Sequence, residues 1–353
     1  MPGWVRERTD RNAGQNVERV RAAEALYRAI QEQLSGRGIG FLALKGRAHC
    51  PDFTAHPQSR VQYDIDLFVP EPDLTAARDA ILGMGYESFE EMERFPTDHL
   101  PPLIRKTGWQ WRDDFFDPEI PYSIEIHFRF WNPDLERLPI ADVECFWSRR
   151  VSRQMAGAWF NTLAPADAVG YACLHVLKHV LRGSAKPFHL YEVGSFLQSR
   201  AADGDFWSAW RRLHSAEFRR LQAVVFRLAE KWFGCEIGCA AREEAATLPR
   251  ATKDWFARPD LNPFGASKDE LGLHLSLVRS NADGWAVIRR RLFPARLPGP
   301  VDAVHIPNEN LTIGRRLQKQ ARYLKYLTSR AWRHAVALPQ SARTCFRWWW
   351  RAD

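Results

Sequence analysis

The sequence predicts an α+β chain, a mixed sheet with flanking helices followed by a mostly helical domain. Two apolar runs with strand-like alternation, one around residue 65 and one around residue 125, predict the sheet, because side chains along a strand alternate faces. After Pro165 the apolar spacing changes to three and four residues, which predicts helices one after another. The 353 residues, 45% hydrophobic and 26% charged, suffice for two domains with cores of their own.

In chain order, Val17, Val20, Ala23, Leu26, Tyr27, Ile30 and Leu34 recur at helical spacing and predict a helix over 16–34, stopped by Gly36 and Gly38. A short apolar strand, Gly40 to Leu44, ends in Lys45-Gly46. The turn formers His56-Pro57-Gln58-Ser59 lead into a second strand, Val61 to Val69. Glu71-Pro72-Asp73 opens another helix that runs to Leu82-Gly83, with proline near its start and glycine at its end. Between Glu87 and Arg112 the polar, proline-containing chain reads as loops flanking an irregular strand. Trp109 to Phe116 and Ile120 to Trp131 read as antiparallel strands joined through Asp117-Pro118. The first domain is therefore expected over 15–150 and a helical domain over 160–312. A helix opens at Ala164-Pro165-Ala166-Asp167, and helical patterns return at 187–200, 205–214, 216–233 and 315–335. Residues 250–312, rich in proline, mix helix with extended connections.

The chemistry centres on Asp64-Ile65-Asp66. Both carboxylates fall on one face of the second strand, while Ile65, Leu67 and Val69 line the other. Two like charges one strand repeat apart repel and are costly to desolvate unless a cation lies between them. The natural occupant is Mg²⁺, which takes one or two carboxylates together with substrate phosphates. The alternative is an acidic pair at the solvated end of a strand. On the third strand, Tyr122 to Phe128, Glu125 and His127 share one face and Ile124, Ile126 and Phe128 the other. Lys45 follows the first strand, and Arg60 stands four residues before Asp64.

This order, strand then Lys45-Gly46, Asp64-Ile65-Asp66 on a second strand and Glu125-Ile126-His127 on a third, resembles the nucleotidyltransferase superfamily of DNA polymerase β type. The match is closest to a bacterial branch with the pattern L-K-G, R-x-x-x-D-I-D-L-x-V and carboxylate-x-His, and it covers roughly residues 15–200. The resemblance implies a nucleotidyltransferase-type sheet and Mg²⁺-dependent transfer of a nucleoside monophosphate. The donor would be an NTP, ATP foremost, and the acceptor an unidentified hydroxyl, amine or phosphate. Asp64, Asp66 and Glu125 would be the catalytic and metal-holding carboxylates, with two Mg²⁺ ions expected. Lys45 and Arg60 would balance phosphate charge, Gly46 would allow close approach of backbone to phosphate, and His127 would orient Glu125 or bond within the sheet. Two departures concern the phosphates: Arg47 stands where the wider superfamily has Gly-Ser or Gly-Gly, and seventeen residues separate Gly46 from Asp64.

His175 and His179 are four apart on one helix face beside Lys178. A zinc site at this spacing needs a third ligand, and no H-E-x-x-H signature occurs, so hydrogen-bonded or solvent-facing histidines are the plainer reading. The resemblance offers another, in which His175, Lys178 and His179 touch triphosphate or acceptor. It also places a carboxylate at Glu192, which could equally be a surface residue.

The net charge of +8 is uneven: Ile313 to Asp353 holds ten Lys or Arg against one acid, so the tail carries the excess and the body is balanced. Interleaved with Tyr323, Tyr326, Trp332, Phe346 and Trp348-Trp349-Trp350, the tail of 313–353 suits anionic lipid or nucleic acid, or it packs its aromatic stripe on the body. No stretch of eighteen apolar residues and no signal-peptide core occurs, so the expectation is a cytoplasmic protein, peripheral to a membrane if the tail binds lipid. Six scattered cysteines read as reduced thiols, and Cys235 with Cys239 lacks the second pair of a zinc site. The alternative function is an inactive nucleotidyltransferase fold that serves as a binding module, attached through its tail.

Overall fold

A computed structural model gives the fold and describes residues 2–89, 98–259, 261–262, 264, 270–293 and 312–350. The chain divides into two compact units, Met1–Phe130 with Glu144–Ala164 and Val301–Arg316, and Trp131–Val143 with Pro165–Pro300 and Leu317–Asp353. The architecture is α+β: a mixed seven-stranded sheet with flanking helices and a mostly helical C-terminal region.

In the first unit, helix α1 (Gly3–Ser35) leads to strands β1 (Leu42–Ala43) and β2 (Asp64–Phe68), then helix α2 (Leu74–Leu82). Strands β3 (Glu87–Ser88), β4 (Leu103–Ile104), β5 (Ser123–His127), β6 (Val151–Met155) and β7 (Ala158–Thr162) follow. The sheet order is β3-β4-β5-β2-β1-β7-β6, with β2–β5 and β1–β7 parallel and the other neighbours antiparallel. Ile65, Leu67, Val69, Ile124 and Ile126 put one face of the central strands into a core shared with Tyr27, Ile30 and Leu34 of α1 and Ala77, Ala80 and Ile81 of α2. Each fully buried Leu or Ile there contributes about 1.5–3 kcal/mol. With that face committed to the core, the alternation sends Asp64, Asp66 and Phe68 to the opposite one.

Helix α1 is longer than the apolar pattern predicts, because its first four turns carry polar residues and show no stripe. Its buried face also differs: Asn16 and Arg19 are buried where Val17 and Val20 are only partly so. Arg19 is fully buried. Its guanidinium donates to the carbonyls of Asp117 (2.9 Å), Ile120 (3.3 Å) and Gln62 (2.7 Å), and it stacks against the rings of Tyr63 and Tyr122. These bonds tie α1 to the segment before β2 and to the segment before β5. The expected strand over Trp109 to Phe116 is absent. Trp109 instead packs with Ile120, Tyr63 and Trp111 in a separate cluster and donates its indole N–H to Asp117 (2.9 Å), so the aromatic alternation serves a folded loop.

The second unit contains α3 (Pro133–Glu136), α4 (Pro165–Leu181), α5 (Pro187–Arg200), α6 (Gly204–Leu213), α7 (Ala216–Phe233) and α8 (Cys239–Ala246). Helices α9 (Arg250–Phe256), α10 (Glu270–Leu277) and α11 (Asn281–Leu292) follow, and α12 (Ile313–Trp350) closes the chain's described part. Proline opens α4 and α5, where a missing N–H costs nothing. Ser215 caps α7 by accepting from the Phe218 amide, and Gly234 in left-handed conformation ends it. No residue of α12 is buried, yet Cys345 and Trp348 pack partly against Leu271, Leu275, Val287 and Ile288. The Trp348 ring comes so near Gly284 that a Cβ there would lie 2.1 Å from it. Leu324, Trp332, Phe346 and Trp350 of the same helix are exposed. Among the described residues no helix is long and apolar enough to cross a membrane.

Candidate active site

The parallel register of β2 and β5 pairs Asp64 with Ser123, Asp66 with Glu125 and Phe68 with His127. Paired residues in parallel strands project to the same side, so the non-core face of these strands gathers three carboxylates and an imidazole. Ligand atoms of Asp66, Glu125 and His127 lie within 4.8 Å of one another, an arrangement that could hold a metal ion. Asp64, expected in that set, lies one strand repeat away and outside the group.

Asp66 is the hub. Its Oδ1 accepts from the Lys45 ammonium at 2.8 Å and faces His127 Nε2 at 3.0 Å, while His127 Nε2 is 3.7 Å from Glu125 Oε2. The sequence led to an expectation that His127 would orient Glu125; its shorter contact is with Asp66 instead. Burial alone would raise the Asp66 carboxyl, but the Lys45 charge and the His127 hydrogen bond outweigh it and hold that carboxyl well below the usual range. Burial lowers the His127 imidazole to about 4, so the ring is neutral near pH 7 and its Nε2–H is the donor to Asp66.

The other two carboxyls are pushed the opposite way. Burial, and then the charge of Asp66, raise Asp64. Burial together with the charges of Asp66 and Asp64 lifts Glu125 to about 7. Burial first, and neighbouring carboxylates second, thus disfavour ionising all three acids at once, a cost that a bound cation would offset.

The model of the uncharacterised nucleotidyltransferase family matches residues 1–234. The chain belongs to this family. The DNA polymerase β-type superfamily fits that assignment. No curated protein matches the chain.

In this chain Gly46 has a left-handed backbone, φ +64°, and a Cβ on it would lie 2.2 Å from the Gln62 carboxamide. Glycine is thus required by both conformation and space. Gln62 in turn donates to the Tyr27 hydroxyl (3.3 Å) and to the Asp64 carbonyl (2.5 Å), linking α1, the Lys45-Gly46 turn and β2. Arg47, the departure after Gly46, is bonded to Glu24 of α1 at 3.0 Å. Arg60 is buried and its charge acts on Asp64, lowering its carboxyl against the effect of burial.

Sequence reading missed His99 and Gln62. The His99 ring lies 5.2 Å from His127, and its charge acts on both His127 and Glu125. It sits in a polar stretch with no periodicity, so nothing marked it. In the second unit, His175 and His179 of α4 meet His189 of α5, another histidine that the sequence left unmarked. Glu192 is buried on α5, which excludes its reading as a surface residue.

Proposed function

We propose that the chain transfers a nucleoside monophosphate from an NTP, ATP foremost, to a hydroxyl, amine or phosphate of an acceptor. The observation that carries this reading is the shared face of β2 and β5, where Asp66 and Glu125 face one another, Asp64 stands one strand repeat along, and two of the three carboxyls are raised. The donor set fits Mg²⁺: carboxylate oxygens are its preferred ligands, and a divalent ion would offset the cost of ionising buried, neighbouring acids. Asp64, Asp66 and Glu125 would hold it, two ions in this reading, with His127 bonded to Asp66. When bound, Mg²⁺ neutralises phosphate charge and stabilises the charge that develops on the attacking and leaving oxygens.

In the transfer, the acceptor's attacking oxygen or nitrogen forms a bond to the α-phosphorus as the bond from that phosphorus to the leaving diphosphate breaks. In this reading Glu125, the carboxylate on the strand beside Asp66, would take the acceptor's proton. Lys45 and Arg60 supply cationic charge for the triphosphate. His127, neutral and donating to Asp66, would orient that carboxylate in this reading.

The tail extends the reading. Helix α12 presents exposed Leu324, Trp332, Phe346 and Trp350 among its basic residues, which suits attachment to an anionic membrane surface. The test of the whole is incubation of the protein with α-labelled NTPs, Mg²⁺ and cell extract. Label transferred to a discrete acceptor supports the reading, and NTPs recovered unchanged with every base overturn it.

A further inference from the structure

Helix α4 buries Val169, Ala172, Cys173, Val176, Leu177 and Val180, which leaves His175 and His179 together on a half-buried flank. Helix α5 starts at Pro187, and its first turn brings His189 to the same place. The ring centroids are 4.6 Å apart for His175–His179, 4.8 Å for His175–His189 and 5.9 Å for His179–His189. One nitrogen from each ring lies within 4.8 Å of the others. Nε2 of His175 and Nδ1 of His189 are buried.

We propose that His175, His179 and His189 form a binding site for a divalent transition ion of the Zn²⁺ class, with the fourth position left to water or a substrate group. Nitrogens bound at about 2.0–2.1 Å to a tetrahedral ion stand roughly 3.4 Å apart, so nitrogens within 4.8 Å of one another need to close by at most about 1.4 Å, within the reach of half-buried side chains. The surroundings already orient one of them. Nδ1 of His179 lies 3.1 Å from the Ser184 hydroxyl, and Ser184 is anchored through its amide on the His179 carbonyl at 2.9 Å. With Nδ1–H donated to that hydroxyl, Nε2 keeps its lone pair for the ion, the arrangement typical of metal-ligating histidines. Imidazole donors select Zn²⁺, Co²⁺, Ni²⁺ or Cu²⁺, whereas Mg²⁺ prefers carboxylate oxygen. The site therefore differs in ligand chemistry from the carboxylate face of β2 and β5, and it stands whether or not the chain transfers nucleotides.

The test uses the full chain carrying Asp66→Asn and Glu125→Gln, so that the carboxylate face cannot supply the binding, titrated with Co²⁺ in millimolar Mg²⁺. One Co²⁺ per chain, with the intense visible absorption of a four-coordinate ion displaced by stoichiometric Zn²⁺, is the expected result. His189→Ala should weaken binding by at least tenfold, and Ser184→Ala by about tenfold. Fold is checked in chelator: the His189→Ala protein should melt with the parent, and Zn²⁺ should raise the parent's Tm alone. Absent or weak octahedral Co²⁺ spectra, or binding unchanged in both His175→Ala and His189→Ala, overturns the proposal. So does a site that takes inorganic phosphate but no Co²⁺, because protonated histidines would then be serving an anion.

Discussion

Asp66 and Glu125 stand directly opposite one another on the parallel strands β2 and β5, each on the face turned from the core. A slip of one residue in that register would bury a carboxylate among Ile65, Leu67 and Ile126, so the packing of the apolar face fixes the geometry of the charged one. The burial that holds the sheet together thereby sets the distance between the acids.

Glu125 makes the metal-free protein sensitive to pH. Its carboxyl, raised from 4.5 to about 7, costs nothing while protonated; stability is whole below about pH 4.5 and falls as pH rises through 7. The loss is about 3 kcal/mol by the linkage of 1.36 kcal/mol per pKa unit, and Asp64 adds to it in the same direction. His127, lowered to about 4, and His274, lowered to about 3, add stability over the same range, so the test is the difference between wild type and Glu125→Gln: in urea unfolding in chelator the wild type should lose stability relative to the variant between pH 5 and pH 8, and Mg²⁺ should restore it at pH 8. A difference that stays constant across that range would contradict the assignment.

Lys45 lies 2.8 Å from Asp66 and is largely, though less completely, buried. Removing one partner of a buried pair costs about 3–5 kcal/mol, so Lys45→Met should destabilise the metal-free protein by that order. With less competing positive charge, the variant should need less Mg²⁺ for half-saturation while transferring nucleotide more slowly. Unchanged Mg²⁺ dependence and unchanged rate together would remove Lys45 from the site.

How legible all this was in the sequence differs from one element to the next. Strands β2 and β5 could be read because Ile65, Leu67, Val69, Ile124 and Ile126 alternate with acids, and that alternation follows from having one face in the core. Strands β3 and β4 are two residues each and have no period to read. The β6–β7 hairpin turns through Ala156 and Gly157, both at positive φ, where an Asn-Gly pair would have announced it. Of the site, the acids, Lys45 and His127 were visible as a pattern on strands, whereas His99, Gln62 and His189 reach their partners only through tertiary packing.

Arg19 should matter for folding more than for chemistry. Its Ala variant leaves three carbonyls, those of Gln62, Asp117 and Ile120, without their charged donor in a buried setting. Hydrogen bonds to charged groups are worth about 1.5–3 kcal/mol each, so a loss of at least 3 kcal/mol in urea unfolding is expected. A loss under about 1 kcal/mol would mean that water replaces the guanidinium.

The tail should bind vesicles containing anionic lipid and ignore neutral ones. Each Lys or Arg near such a surface contributes about 1 kcal/mol, and screening shortens the range to about 10 Å at 0.1 M salt, so cosedimentation should fall steeply with salt. Deleting residues 313–353 should abolish it. Binding that survives the deletion, or that ignores lipid charge, would assign the aromatic residues of α12 to packing, as Trp348 already is in part.

The central claim is that Asp64 and Asp66 carry metal-dependent nucleotidyl transfer, and the most direct measurement is Mg²⁺-dependent transfer of α-labelled NTP by wild type beside Asp64→Asn, Asp66→Asn and the double variant. The account predicts transfer by the wild type, lost in chelator, and at least a hundredfold lower in each variant, with far-UV circular dichroism unchanged. A double variant that transfers label at the wild-type rate would contradict it.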